Sequence, residues 1–191
     1  PEFVFPINNA EVRFVVAEDQ EQVDKLLELR AESCPQITNI WYDDPRGLRN
    51  YDEPVIASLD DLIAAGKQHL TSNAGFFKAQ VEKIQPQDVA AMFFTSGTTG
   101  NPKGVVHTHF TLLDRAAAGQ SFDKLTASEE VLAYLPPAWI GQNIFSYAQW
   151  LTCGYVVNCP ENASTVTIDL KEIGPTYYFA PPRVFEGLLT S

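Results

Sequence analysis

Between Glu11 and Asp19 the chain reads EVRFVVAED, a β-branched run, and there the period of the apolar positions changes. In the following QEQVDKLLELRAES, Val23, Leu26, Leu27 and the aliphatic stem of Arg30 fall on one face, which predicts an amphipathic helix. Asp19 stands at its N-cap, with Gln22 three residues on. ITNIWYDD then reads as a strand, so residues 11–44 predict a β-α-β unit. Ser58 with Asp61 predicts the cap of a short helix, LDDLIAA, ended by Gly66. A helical stretch containing Phe76, Phe77, Val81 and Ile84 leads to the turn QPQD. The runs from Asp43 to Pro54 and from Thr71 to Gly75 read as surface loops.

The second half keeps the same rhythm. A helix over Phe110 to Phe122 precedes the strand VLAYL, which Pro136-Pro137 stops. A helix around Gly141 to Cys153 and the strand YVVNC follow, then the helix TIDLKEIG and the strand TYYFA. Pro181-Pro182 opens a last helix, RVFEGLL. Strand followed by helix, repeated, predicts an α/β fold with a mostly parallel sheet and helices on both faces. The sequence carries no internal repeat and no low-complexity segment.

One stretch breaks the rhythm: MFFTSGTTGNPKGVVHTH, Met92 to His109, places hydroxyls, glycines and one lysine between two short β-like runs. Gly97, Gly100 and Gly104 let backbone approach a ligand closely, and exposed N–H groups in such a turn form an anion-binding concavity. Thr95, Ser96, Thr98 and Thr99 add neutral donors and Lys103 adds a cation, a donor set suited to polyphosphate. The plainer alternative is a Gly/Thr turn, which accounts for the glycines but not for four hydroxyls and a lysine held between Pro102 and Gly104. A Walker-type loop is excluded, because it needs Gly-Lys-Ser/Thr leading into a helix. Here Lys103 follows Pro102 and leads into a strand.

Composition narrows the classes. The chain has 191 residues, 45% of them hydrophobic, and a formal net charge of −11. That length suits one ordinary domain or two small ones. So acidic a chain, without a basic cluster, is no nucleic-acid binder. Cys34, Cys153 and Cys159 lack CxxC spacing and read as reduced thiols. No run approaches the ~20 apolar residues of a membrane span. No signal-peptide pattern opens the chain, so the expected compartment is the cytoplasm. Pro1-Glu2-Phe3 reads as a cloning remnant, and the whole as a segment of something longer.

TSGTTGNPKG, Thr95 to Gly104, resembles the phosphate-binding signature of the adenylate-forming (AMP-binding) superfamily. Flanking NNAEVRFVVAEDQEQVDKLLELR and DLKEIGPTYYFAPPRVFE are similar to long-chain acyl-CoA synthetases, so the resemblance covers nearly all of residues 1–191. It implies part of the large N-terminal domain of such an enzyme. It also implies a two-step reaction: a fatty acid carboxylate attacks the α-phosphate of ATP, and coenzyme A then takes the acyl group from the adenylate. By this resemblance Thr95, Ser96, Gly97, Thr98, Thr99, Gly100, Lys103 and Gly104 hold the ATP phosphates. Lys103 meets the charge of the departing pyrophosphate, and Thr95 helps to hold Mg²⁺.

One position departs from the family. In AYLPPAWIGQ, Trp139 stands where relatives carry a histidine near the substrate carboxylate, and it reads either as the wall of an acyl pocket or as a core aromatic. His107 and His109, two apart on an expected strand, face one way. His109 matches a Thr-His that follows the loop in relatives, which implies packing on the substrate side rather than metal binding. Arg183 reads as a surface or helix-start residue.

The family's adenine, ribose, hinge and C-terminal lysine segments have no counterpart in residues 1–191. The resemblance therefore implies a fragment without activity of its own, from a parent that needs fatty acid, ATP and coenzyme A, with peripheral membrane contact of the parent open. A carrier-loading adenylation domain and a non-catalytic nucleotide-binding scaffold are the alternatives.

Overall fold

A computed structural model of the chain describes residues 3–95 and 100–190. It divides into two compact units, Pro1–Ile84 with Phe94–Val105, and Gln85–Phe93 with Val106–Ser191. Among the described residues no helix is long and apolar enough to cross a membrane.

In the first unit α1 (Val4–Asn9) precedes β1 (Phe14–Ala17), α2 (Gln20–Glu32), β2 (Asn39–Tyr42), β3 (Ile56–Ser58), α3 (Leu59–Ser72) and α4 (Phe76–Val81). The expected β-α-β unit is present: β1 pairs parallel with β2, and β2 parallel with β3. Register aligns Val15 with Ile40 and Ile40 with Ile56, a row on one face of the sheet. Ile40 is fully buried there with Val23 of α2, Cys34 and Ile37, and Val15 and Ile56 pack against them. The opposite face carries Phe14 and Val16, each 60% exposed, and Trp41, whose ring lies 5.8 Å from that of Phe14.

Local chemistry sets the helix boundaries. The Asp19 carboxylate accepts from the Gln22 N–H at 3.2 Å, satisfying one of the orphan donors of the first turn. At the other end Arg30 donates through Nε to the Ile37 carbonyl at 3.0 Å, tying α2 to the segment that enters β2. Asp19→Ala is expected to cost about 1 kcal/mol, read as a melting temperature lower by a few degrees in circular dichroism. Ser58 caps α3 by accepting from the Asp61 N–H at 3.0 Å. Gly66, however, does not end that helix, which continues to Ser72. An interior glycine costs only about 1 kcal/mol relative to alanine, and the helix stops instead where both the backbone and side-chain N–H groups of Asn73 donate to the His69 carbonyl.

The 43–54 segment is a tied loop. Gln20 donates to the Tyr51 hydroxyl at 2.9 Å, and that hydroxyl donates to Asp24. Gly47 sits at φ +83°, where a Cβ would fall 1.9 Å from the Gln20 side-chain oxygen. Only glycine fits that turn.

β4 (Val89–Phe94) and β5 (Gly104–Thr108) pair with each other. The second unit continues with α5 (His109–Asp123), β6 (Glu130–Leu132), α6 (Ile140–Gln142), a π-helical segment (Asn143–Ala148), α7 (Gln149–Cys153), β7 (Val156–Asn158), α8 (Val166–Ile173) and α9 (Pro182–Thr190). β6 and β7 are parallel, around a core of Leu125, Val131 and Tyr155. The three cysteines are free thiols, and Cys34 is buried.

Two expectations change here. TYYFA forms no strand; it makes a single bridge, Tyr177 to Val131. The edge is taken up instead by Thr176, whose hydroxyl accepts from the Glu130 N–H at 2.9 Å and donates to Glu129 at 2.6 Å, and the two prolines that follow offer no N–H to a ladder. The helix expected over residues 141–153 contains the wider π segment, and the Tyr155 hydroxyl donates to the Phe145 carbonyl within it at 2.6 Å. Burial drives the Tyr155 phenol well above its ordinary pKa, with Cys153 and Tyr177 adding to it. Tyr177 is pushed up to about 12 by burial and then by the Asp123 carboxylate, to which its hydroxyl donates at 3.2 Å. Both remain neutral donors at physiological pH.

Candidate functional site

The glycine- and hydroxyl-rich loop joins two strands, as its sequence implies. At one end the Thr95 N–H donates to the Lys103 carbonyl at 3.0 Å, and at the other the His109 N–H donates to the Asp88 carbonyl at 3.2 Å. The end of β4 thus faces the start of β5, and the start of β4 faces the end of β5, so the pair is antiparallel.

The loop has a closed neck. Besides the backbone bond, the Lys103 N–H donates to the Thr95 hydroxyl at 3.1 Å. Thr95 and Lys103, eight apart in sequence, are thereby fixed opposite one another. Both bonds use the backbone of Lys103, which leaves its exposed ammonium without a hydrogen bond or ion pair among the described residues. The Thr95 hydroxyl accepts one bond and keeps its own proton to donate. Gly100 lies at φ +151° with open space where a Cβ would stand, so its requirement is conformational rather than steric. Gly104 begins β5. Ser96, Gly97, Thr98 and Thr99 lie outside the described residues.

The base of the pair is braced by a turn. The Gln85 N–H donates to the Asp88 carboxylate at 2.8 Å, and the Phe110 N–H to the Pro86 carbonyl at 2.8 Å. β5 runs directly into α5 through a reciprocal cap that the sequence reading missed. The Thr108 hydroxyl accepts from the Thr111 N–H at 3.1 Å, and the Thr111 hydroxyl accepts from the Thr108 N–H at 3.0 Å. The signal was available as Thr-x-x-Thr, a variant of the capping box with a shorter partner than Glu or Gln.

That cap also corrects the histidine reading. His107 is on β5, edge-on to Phe93 with ring centroids 5.9 Å apart, but His109 is the first residue of α5. The pair therefore shares no strand face. Among the described residues no group of three His, Cys, Asp or Glu could hold a metal ion. Thr95 alone, as a hard neutral oxygen, suits a magnesium site that draws its other ligands from water and phosphate.

Trp139 is 53% exposed among the described residues. It precedes α6, its N–H donating to the Pro136 carbonyl at 2.9 Å. Trp139 and His109 share a unit, and no hydrogen bond joins them. Arg183 is exposed at the start of α9, as expected.

A family model described as AMP-binding enzyme matches residues 1–191. A Mycobacterium tuberculosis protein assigned provisionally as fatty-acid–CoA ligase fadD11 is 33% identical over 141 residues, 74% of this chain and 24% of that protein. The human long-chain-fatty-acid–CoA ligase ACSBG2 is 27% identical over 189 residues, 96% of this chain and 27% of that protein. The chain thus spans about a quarter of the length of these relatives. The anthranilate CoA ligase AuaEII, solved with anthranoyl-AMP, superposes with a TM-score of 0.68 at 18% identity, over 94% of this chain and 33% of that one. The luciferase-like enzyme of the nonluminescent Zophobas morio mealworm gives 0.66 at 20%, over 95% and 39%. At these identities the structural likeness establishes the fold. With a family match along its whole length, a loop closed between two strands and the fold of adenylate-forming enzymes, the chain belongs to the AMP-binding enzyme family.

Proposed function

We propose that the full-length protein is an ATP-dependent fatty acid–CoA ligase and that this segment supplies its phosphate-binding loop. The observation that carries the reading is the neck. Thr95 and Lys103 are clamped together by two bonds that spend no side-chain donor of Lys103. The ammonium is left for an anion, at the end of a loop rich in hydroxyls and backbone N–H groups. The names of the relatives, and the adenylate bound in AuaEII, support the same reaction class.

In the proposed reaction a carboxylate oxygen of the acid bonds to the α-phosphorus of ATP, and the bond to the β-phosphate oxygen breaks. The thiol of coenzyme A then adds to the acyl carbon, and AMP leaves with its oxygen. Lys103 and the loop donors bind and orient the β- and γ-phosphates and neutralise charge as pyrophosphate separates. The Thr95 hydroxyl would help to hold magnesium, which would supply Lewis-acid neutralisation of the same phosphates. Trp139 and His109 lie on the side of the acid.

The test is acid-dependent exchange of labelled pyrophosphate into ATP by the full-length protein, with acids from acetate to palmitate, followed by coenzyme A consumption. Exchange that rises with chain length and thioester formation are the expected results. Exchange with no acid dependence would overturn the reading, and adenylation without coenzyme A use would assign the protein to carrier loading.

A further inference from the structure

We propose that Asn143 is a positioning residue, holding the backbone on which Trp139 stands so that the indole is presented as a fixed wall toward the acyl part of the acid. The proposal rests on the function proposed above and adds to it a residue with no apparent motif.

Leu135-Pro136-Pro137-Ala138-Trp139 is poor in backbone donors, because the prolines have no N–H. The segment is held from the helix that follows. The Asn143 side-chain nitrogen donates to the Pro137 carbonyl at 2.7 Å and to the Trp139 carbonyl at 3.0 Å. The backbone bond from the Asn143 N–H to the same Trp139 carbonyl is long, at 3.4 Å, so the side chain is the shorter link. Both partners are carbonyl oxygens, so the nitrogen of the amide must be the atom that faces them. One residue earlier, Gln142 is buried and its side-chain oxygen accepts from the Leu135 N–H at 3.2 Å. Two adjacent amides thus fasten opposite ends of one turn.

Packing secures the helix from another side. Phe145 stacks on Phe179 with centroids 4.1 Å apart, and a Cβ at Gly141 would lie 3.1 Å from the Phe179 ring. The backbone is therefore tied at Leu135, Pro136, Pro137 and Trp139, while the indole is exposed and has no hydrogen-bond partner among the described residues. A folded chain ordinarily fixes backbone to bury a side chain. Here the fixed backbone carries an exposed one, the arrangement expected of a contact surface kept in place before its ligand arrives.

The test uses the full-length protein labelled with 5-fluorotryptophan, the Trp139 resonance being assigned by its loss in Trp139→Phe. Asn143→Asp keeps the side-chain shape but removes both donors and sets a carboxylate against two carbonyls. It is expected to move the Trp139 fluorine resonance and to raise the KM for the acid by about tenfold, with the KM for ATP unchanged. In a Trp139→Ala background the same substitution is expected to change the acid KM by less than about twofold, since the effect passes through the indole. An unmoved resonance, or an equal rise in both backgrounds, would overturn the proposal. Asn143→Ala gives the same comparison should Asn143→Asp not fold. If the protein activates no acid, the proposed function falls and the resonance alone decides the role of Asn143.

Discussion

Lys103→Ala in the full-length protein is expected to slow acid-dependent ATP–pyrophosphate exchange by about ten- to over a hundredfold, with little change in the KM for the acid. Loss of one charge-assisted contact costs roughly 1.5–3 kcal/mol. The structure makes this substitution unusually clean. Both bonds at the loop neck use only the backbone of Lys103, its carbonyl accepting from the Thr95 N–H and its N–H donating to the Thr95 hydroxyl, so alanine keeps the neck closed. The ammonium holds no ion pair among the described residues, so the melting temperature should not move. Unchanged exchange would remove Lys103 from the mechanism, whereas a falling melting temperature would give it a structural role.

Ile40→Ala is the expected large effect on stability. Ile40 is fully buried, lies on the central strand of its sheet and is aligned with Val15 on one side and Ile56 on the other. Truncation removes three carbons from a packed row and leaves a cavity that strands on both sides prevent from closing, at a cost of about 2–5 kcal/mol. Thermal melts of the full-length protein should show it. Exchange per folded molecule at low temperature should remain, because the row faces the core rather than the loop. A change below about 1 kcal/mol would mean that the site collapses around alanine.

The parts of the fold legible in the sequence were those fixed by neighbours in the chain. Asp19 and Ser58 were readable as caps because a side chain bonds a backbone N–H three residues on. Val23 was readable as core because helical period and burial coincide. Less legible were elements defined by distant partners. β3 has only three residues and exists through its pairing with β2. Residues 176–180 have strand composition, yet Thr176 spends its hydroxyl on Glu129 and Glu130 and leaves one bridge. The loop's chemistry was legible as donor type and spacing, but the Thr95–Lys103 clamp was not, since nothing in the sequence says which hydroxyl faces inward. Trp139 was legible as a departure from the family's pattern, but not as a role. Asn143 gave no signal, as its two acceptors are carbonyls that any sequence would offer.

The uncovered side of the three-stranded sheet also bears on how the chain behaves in a tube. Phe14 and Val16 offer an apolar strip to solvent, and strips of this kind draw copies of a molecule together. At neutral pH a net charge of −11 keeps those copies apart. Near the isoelectric point, about 4.6, the repulsion vanishes while the apolar attraction persists, and concentrated salt screens the repulsion at any pH. Colloidal stability is therefore governed by proton and salt concentration: dilute, mildly alkaline buffer favours dispersed chains, and acidification gathers them.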